Sequence, residues 1–107
     1  MSNPSKAKGT AYEVAVCAFL RDHGFPYAER RALAGSDDKG DVGGIPGVML
    51  ELKATKTLAL SQWMNEVRTE KANAHAQVGA CVVKRRSHSI AKSYVILELQ
   101  DFVELIK

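Results

Sequence analysis

One stretch, residues 40–53, most constrains what this chain can fold into. It reads Gly-Asp-Val-Gly-Gly-Ile-Pro-Gly-Val-Met-Leu-Glu-Leu-Lys, which predicts a short strand, a turn and an apolar strand. Side chains alternate between the two faces of a strand, so Glu51 and Lys53 share one face and the leucines share the other. Strand interiors disfavour acids and lysines. We therefore interpret this charged pair as part of a metal-assisted catalytic site.

The turn decides whether Asp41 can join that site. Pro46-Gly47 fits the two central positions of a type II turn, so the flanking strands should form a hairpin. With a two-residue loop, Asp41 lies opposite Leu52 and on the face away from Glu51. A three-residue loop, or a bulge at Gly43-Gly44, shifts the register by one residue. We predict such an irregularity, because it brings Asp41 to the face of Glu51.

Hydrophobic periodicity and turn signals predict the other elements. A first helix over 8–23 ends at Gly24, which suits a helix C-terminus. The remaining segments are a first strand over 25–31, a second helix over 60–77 with Trp63 as a packing anchor, a buried strand over 78–83, a strand over 93–97 and a short helix over 101–106. The order α-β-β-β-α-β-β-α predicts an α/β sandwich with a central mixed sheet.

Length and composition limit the class of protein. A chain of 107 residues forms one domain, 1–107, in which we expect 1–7 to be a flexible tail. The net charge of +3 permits a polyanionic partner. Cys17 and Cys81 lie in apolar surroundings and predict buried small side chains. The histidines have no zinc-ligand spacing, and the longest apolar run, 14–20, is too short for a membrane span. We expect a cytoplasmic protein without a membrane segment.

The carboxylates of the hairpin suit a hard cation. Magnesium prefers oxygen ligands, typically one or two carboxylates with waters and phosphate oxygens. Asp41 and Glu51 supply the carboxylates, and the backbone carbonyl of Leu52 is a third candidate ligand. Lys53 would orient or deprotonate a water, or stabilise charge on phosphorus, and a metal beside it would lower its pKa. The alternative is a surface Glu51–Lys53 ion pair with Asp41 capping a turn.

A further acid lies in the first helix. Val16, Cys17 and Leu20 follow Glu13 by three, four and seven residues, so Glu13 shares a face with apolar side chains. It would complete the acidic cluster or hold a second ion. The alternative is a glutamate at the edge of the apolar stripe that extends to water.

These residues resemble a known superfamily. Asp41 followed by Glu51-Leu52-Lys53 is similar to the PD-(D/E)xK motif of restriction-endonuclease-like nucleases, with Gly40 in place of the proline. Upstream, Lys8-Gly9-Thr10-x-x-Glu13 resembles the Lys/Arg-Gly-x-x-x-Glu opening of archaeal-type Holliday junction resolvases. Gly24-Phe25 and Arg30-Arg31 fall where that group has a helix end and a basic strand. The resemblance covers nearly the whole chain and is closest to small phage-encoded nucleases.

The resemblance implies a restriction-endonuclease-like fold and a site of four residues. Asp41 and Glu51 would ligate Mg²⁺ or Mn²⁺, Lys53 would be catalytic and Glu13 auxiliary. It also implies a homodimer that acts on branched DNA such as a four-way junction. Candidate phosphate contacts are the basic residues Lys8, Arg30, Arg31, Lys84, Arg85 and Arg86. Two alternatives stay open: a general nicking or end-processing nuclease of the same fold, and a non-catalytic DNA-binding module.

Overall fold

The structure is a computed structural model that describes residues 4–31 and 37–107, with side chains from residue 6 onward. Within these described ranges, three helices and five strands follow one another in the predicted order. Their bounds are α1 (Pro4–Asp22), β1 (Glu29–Arg30), β2 (Val42–Gly43), β3 (Val48–Lys53), α2 (Leu60–Asn73), β4 (Val78–Val83), β5 (Tyr94–Ile96) and α3 (Leu99–Ile106), with a short 3-10 helix at Ile90–Lys92. The predicted α/β class with a mixed sheet is confirmed.

The five strands form one sheet in the order β1-β2-β3-β4-β5. Only β3 and β4 run parallel, since α2 provides the crossover between them, and the other pairs are antiparallel. The strand β4 lies between β3 and β5, and all six of its residues are buried. This burial on both faces explains its uninterrupted apolar sequence.

Each face of the sheet carries its own core. On one face, α1 packs through Tyr12, Val16 and Cys17 against Leu50 and Leu52. On the other face, α2 packs against the sheet through a second group of buried side chains: Met49, Trp63, Val67, Cys81 and Val83. Both cysteines are free and buried, as expected. The face of β3 that carries Glu51 and Lys53 is therefore covered by α2.

Several boundaries differ from the sequence prediction. The helix α3 begins at Leu99 instead of residue 101, and β1 covers only Glu29–Arg30 of the expected 25–31. The helix α1 begins at Pro4, so residues 4–7 are helical rather than part of the expected flexible tail; residues 1–3 lie outside the described part of the chain. The helix α2 ends at Asn73 instead of at residue 77. Apolar spacing continues past Asn73, but the backbone amides of Gln77 and Val78 both donate to the Gly47 carbonyl, at 2.9 and 3.0 Å. This contact starts β4 beside β3, and the left-handed φ of +54° at His75 closes the helix before it.

The hairpin has the predicted register shift. Val42 pairs with Leu50, whereas a two-residue loop would have paired it with Glu51. The Val48 amide donates to the Ile45 carbonyl at 3.1 Å and closes a turn with Pro46-Gly47 at its centre. Glycines at both ends of the loop have left-handed φ values, +86° at Gly44 and +74° at Gly47. The loop is thus one residue longer than the two-residue turn, and Asp41 comes level with Glu51.

Within the described residues, no helix is both long enough and apolar enough to cross a membrane.

Candidate active site

Asp41 is fastened to the edge of β3. Its backbone amide donates to the Leu50 carbonyl at 2.9 Å, and its Oδ2 accepts a hydrogen bond from the Leu52 amide at 2.8 Å. Burial, and next the charge of Glu51, raise the pKa of Asp41 to about 7. Asp41 and Glu51 therefore form a close, partly buried carboxylate pair.

The Leu52 carbonyl lies on the same edge. In a strand, the N–H and C=O of one residue point toward the same neighbouring strand. Because the Leu52 amide donates to Asp41, the Leu52 carbonyl also points to the Asp41 side. The three oxygen ligands predicted from the sequence thus lie along one side of β3: Asp41, Glu51 and this carbonyl.

Glu51 is the centre of the site. The residue is 8% exposed, and its Oε2 has no hydrogen-bond donor among the described residues. Burial, and then the adjacent carboxyl of Glu70, raise the pKa of Glu51 to about 8. A buried carboxylate oxygen without a donor is costly. A divalent cation would supply the missing partner, so these residues fit the metal that the resemblance implies.

Lys53 shares the face of Glu51, as predicted, with its Nζ 3.8 Å from Glu51 Oε1. It also forms an ion pair of 3.2 Å with Glu66 of α2 and lies 5.7 Å from the ring centroid of Trp63. Burial lowers the pKa of Lys53, but Glu51 and Glu66 outweigh it, so the pKa is raised. The lowering was predicted for a lysine beside a bound metal and stays a prediction, whereas without a metal the two acids raise the pKa. The arrangement suits a fixed positive charge better than a base.

Glu13 does not join the central carboxylates. Its Oε1 accepts a hydrogen bond from Arg30 Nε at 3.1 Å, and its side chain is 24% exposed. Its charge contributes to the raised pKa of Asp41, although it is the weakest of the causes. Glu13 therefore lies close enough to Asp41 to act electrostatically, and it is paired with an arginine.

Two acids that sequence reasoning did not select lie beside Glu51. Asp38, Glu51 and Glu70 each place one carboxylate oxygen within 4.8 Å of the others. Glu70 has the charge that is typical of a solvent-facing helix residue, but it is only 5% exposed. The signal was present, because Glu70 follows Trp63 by seven residues and Val67 by three, which places it on the buried stripe. Asp38 had no such signal, since only the fold of its loop brings it close.

The basic residues fall into two groups. The amide of Lys84 donates to the Lys53 carbonyl at 2.9 Å, so the basic loop, residues 84–86, starts at the same end of the sheet as the site. Within it, the Arg85 guanidinium lies 4.4 Å from the centroid of the Tyr94 ring, while Lys84 and Arg86 are exposed. The loop is thus placed where a substrate near Lys53 would meet it.

The second basic group lies on the Asp41 side. Arg30 is paired with Glu13. The amide of Arg31 donates to the Asp41 carbonyl at 2.9 Å, and its guanidinium donates to the Lys39 carbonyl. Lys8 is exposed on α1. Arg31 therefore supports the loop that carries Asp41, whereas Arg30 is held by Glu13 and keeps about half of its side chain, 47%, exposed.

The chain matches no protein-family model, no curated protein and no solved structure.

Proposed function

We propose that this protein is a divalent-metal-dependent DNA endonuclease of the PD-(D/E)xK type, and specifically a structure-selective Holliday junction resolvase. The observation that carries the proposal is the shifted hairpin register. It brings Asp41 beside Glu51, with Lys53 at 3.8 Å from the same glutamate. An ordinary surface ion pair and a turn cap do not account for a glutamate that is 8% exposed with an unpartnered oxygen.

The restriction-endonuclease-like fold is part of the same proposal. Three antiparallel strands, a helix that crosses over to a parallel strand and a fifth antiparallel strand hold Asp41, which directly precedes β2, beside Glu51 and Lys53 on the central strand β3. This is the order of elements that the resemblance implies for a restriction-endonuclease-like fold. The element order supports the proposed fold, and the geometry of Asp41, Glu51 and Lys53 supports the proposed site independently of it.

Asp41, Glu51 and the Leu52 carbonyl would hold Mg²⁺ or Mn²⁺. When bound, such an ion lowers the pKa of a water and neutralises charge on a phosphodiester. The chain itself contributes the positive charge of Lys53, which Glu51 and Glu66 keep in place. Lys53 would stabilise negative charge that builds on phosphorus and orient the attacking water. Glu13, through Arg30, would support the position of the substrate strand rather than ligate the ion.

DNA would lie across the end of the sheet that carries Lys53. The basic loop, residues 84–86, begins at Lys53, and Lys84 and Arg86 are free to contact phosphates. Arg30 and Lys8 provide further positive charge near α1. Neutralising phosphates releases counterions, so binding should weaken steeply with salt. A flat response to salt would contradict a DNA substrate.

A resolvase cuts two strands, and each chain provides one Asp41–Glu51–Lys53 set, so the proposal includes a homodimer. Exposed apolar side chains concentrate near the end of the described chain: Tyr94, Val95, Leu99, Phe102, Val103, Leu105 and Ile106. We place the contact with the second copy on β5 and α3 for this reason. Val103→Glu should then shift the sedimentation coefficient to that of a monomer, and an unchanged coefficient would contradict this placement.

Cleavage of three DNA substrates tests the proposed function. A synthetic four-way junction, a linear duplex and a flap are each incubated with Mg²⁺ or with EDTA, and Asp41→Ala and Lys53→Ala serve as controls. Paired symmetric nicks in the junction alone support a resolvase. Equal cutting of all three substrates supports the general nuclease, and tight binding without cutting in any metal supports the non-catalytic module. Cutting that persists in both variants would overturn the assignment of the site.

A further inference from the structure

A second group of carboxylates adjoins the first. Asp38 comes from the loop before β2, Glu51 from β3 and Glu70 from α2, and their oxygens lie within 4.8 Å of one another. Neither Asp38 nor Glu70 belongs to the residues that the motif predicts. Glu51 has two carboxylate oxygens and can therefore belong to both groups.

Glu70 is a buried acid with one carboxylate oxygen that lacks a hydrogen-bond partner in the described part of the chain. It is 5% exposed, and its Oε2 has no hydrogen-bond partner among the described residues. The same holds for Glu51 Oε2. Ionising both acids would place two negative charges side by side without the hydrogen bonds that normally accompany burial. A bound cation accepts lone pairs from both oxygens, so it would offset their repulsion and replace the missing hydrogen bonds.

The loop that carries Asp38 is fastened to α2. The side chain of Asn73 donates to the Asp38 carbonyl at 2.8 Å, and Asp38 Oδ1 accepts from the Gly40 amide at 2.9 Å. Asn73 follows Glu70 by three residues, so it lies about one turn further along the same helix. The position of Asp38 relative to Glu70 is therefore set by α2 itself.

We propose that Asp38, Glu51 and Glu70 bind a divalent cation, and that Glu51 bridges this ion and the Asp41–Leu52 edge. Carboxylate oxygens select hard cations, Mg²⁺, Mn²⁺ or Ca²⁺. Oxygens on opposite sides of such an ion are about 4.2 to 5.2 Å apart, given ligand distances of about 2.1 to 2.6 Å. The separation of up to 4.8 Å lies within that span. The inference deepens the proposed function, and its catalytic meaning rests on that function.

The competing account is a structural carboxyl pair in which Glu51 and Glu70 share one proton. Such a pair needs no cation, and replacing Glu70 by glutamine would preserve its hydrogen bond. The two accounts therefore differ in how cation affinity responds to changes at Glu70, whereas both predict a folded Glu70→Gln variant.

Mn²⁺ binding measured by electron paramagnetic resonance separates them, because bound Mn²⁺ loses its free-ion signal. The full chain is titrated as wild type, Glu70→Gln, Glu70→Asp and Glu104→Gln. Glu70→Asp keeps the charge and withdraws the oxygens by one methylene, and Glu104→Gln removes a charge from the surface of α3. We expect Mn²⁺ affinity to fall about tenfold or more in both Glu70 variants, with Glu104→Gln unchanged.

Unchanged affinity in Glu70→Gln would overturn the proposal. A fall in Glu70→Gln with full affinity in Glu70→Asp would also overturn it, because only long-range attraction would then be lost. If a Glu70 variant does not fold, Asp38→Asn at an exposed position decides by the same tenfold criterion. DNA cleavage enters none of these measurements. A chain that binds Mn²⁺ through Glu70 and cuts no DNA would refute the proposed nuclease function and support the cation site. A chain that cuts DNA but binds Mn²⁺ equally well without Glu70 would support the nuclease function and refute this cation site.

Discussion

Asp41 Oδ2 accepts a hydrogen bond of 2.8 Å from the amide of Leu52, which ties the residue before β2 to the strand that carries Glu51. This one bond couples the geometry of the hairpin to the geometry of the site. The carboxylate of Asp41 thus has two roles, as the partner of a backbone amide and as a charge beside Glu51.

Two substitutions at Asp41 separate these roles. Asp41→Asn keeps an acceptor for the Leu52 amide and removes the charge, so we expect full folding and loss of cleavage. Asp41→Ala removes both, and the orphaned amide should cost about 1–3 kcal/mol in the free energy of unfolding. Thermal unfolding and junction cleavage measure the two effects. Equal stability of both variants would show that the hydrogen bond contributes little.

The raised pKa values predict an unusual dependence of stability on pH. The pKa of Asp41 rises from 3.8 to about 7 and that of Glu51 from 4.5 to about 8, so the folded state holds protons that the unfolded state has released. In EDTA, the contribution of these two groups to stability should therefore be greatest below about pH 4. It should decrease as the pH rises from about 4 to about 8.

The expected loss across this window is several kcal/mol, because each pKa unit corresponds to about 1.4 kcal/mol, and the melting temperature should fall by more than about 10 °C. Calorimetry at pH 5.5, 7 and 8.5 in EDTA measures it, and Glu51→Gln should flatten the curve because one of the two acids is gone. Saturating Mg²⁺ should raise the melting temperature most at pH 8.5. A wild-type curve that rises from pH 5.5 to pH 8.5 in EDTA would contradict the raised pKa values.

Much of this site follows from local sequence. Strand alternation placed Glu51 and Lys53 on one face, and the glycines around Pro46 indicated the shifted register, because both features depend on residues close together in the chain. Glu70 was missed because charged residues on a helix were read as solvent-facing, although its spacing from Trp63 and Val67 places it on the buried stripe. The partners of Lys53 and the position of Asp38 depend on contacts between distant segments, which periodicity does not encode.

The left-handed glycine at position 44 should be irreplaceable. Its φ is +86°, and a Cβ there would lie 1.8 Å from the Tyr27 carbonyl oxygen. Gly44→Ala should lower the free energy of unfolding by about 2–4 kcal/mol. Gly9→Ala is the matched control, because a Cβ at Gly9 has nothing within 4 Å and alanine favours a helix by about 1 kcal/mol. Denaturant titration should move the two midpoints in opposite directions.

The basic loop should contribute to DNA affinity through phosphate contacts. Arg86→Ala should weaken binding to junction and duplex DNA alike and reduce the slope of log K against log salt by about 0.9. Fluorescence anisotropy over a range of NaCl concentrations measures this slope. Lys107→Ala, which removes a lysine paired with Glu104 on α3, is the charge-matched control and should leave it unchanged. Equal slopes in wild type and Arg86→Ala would show that Arg86 does not contact a DNA phosphate.

A buried ion pair should hold α2 in position independently of the site. Asp101, 3% exposed, accepts hydrogen bonds from Lys71 Nζ at 3.0 Å and from the Gly79 amide at 2.8 Å. Asp101→Asn leaves the ammonium without its anion, so we expect a loss of about 2–4 kcal/mol in the free energy of unfolding. The double variant with Lys71→Met should recover part of that loss, because no unpaired charge remains.

Denaturant unfolding of Asp101→Asn, Lys71→Met and the double variant completes a double-mutant cycle for this ion pair. Lys71 directly follows Glu70, yet Trp63 and Val67 also pack α2 against the sheet. Mn²⁺ affinity well below the melting temperature should therefore stay within about twofold of wild type in Asp101→Asn. A larger fall in affinity would mean that the Lys71–Asp101 pair, and not the packing of Trp63 and Val67, sets the position of Glu70.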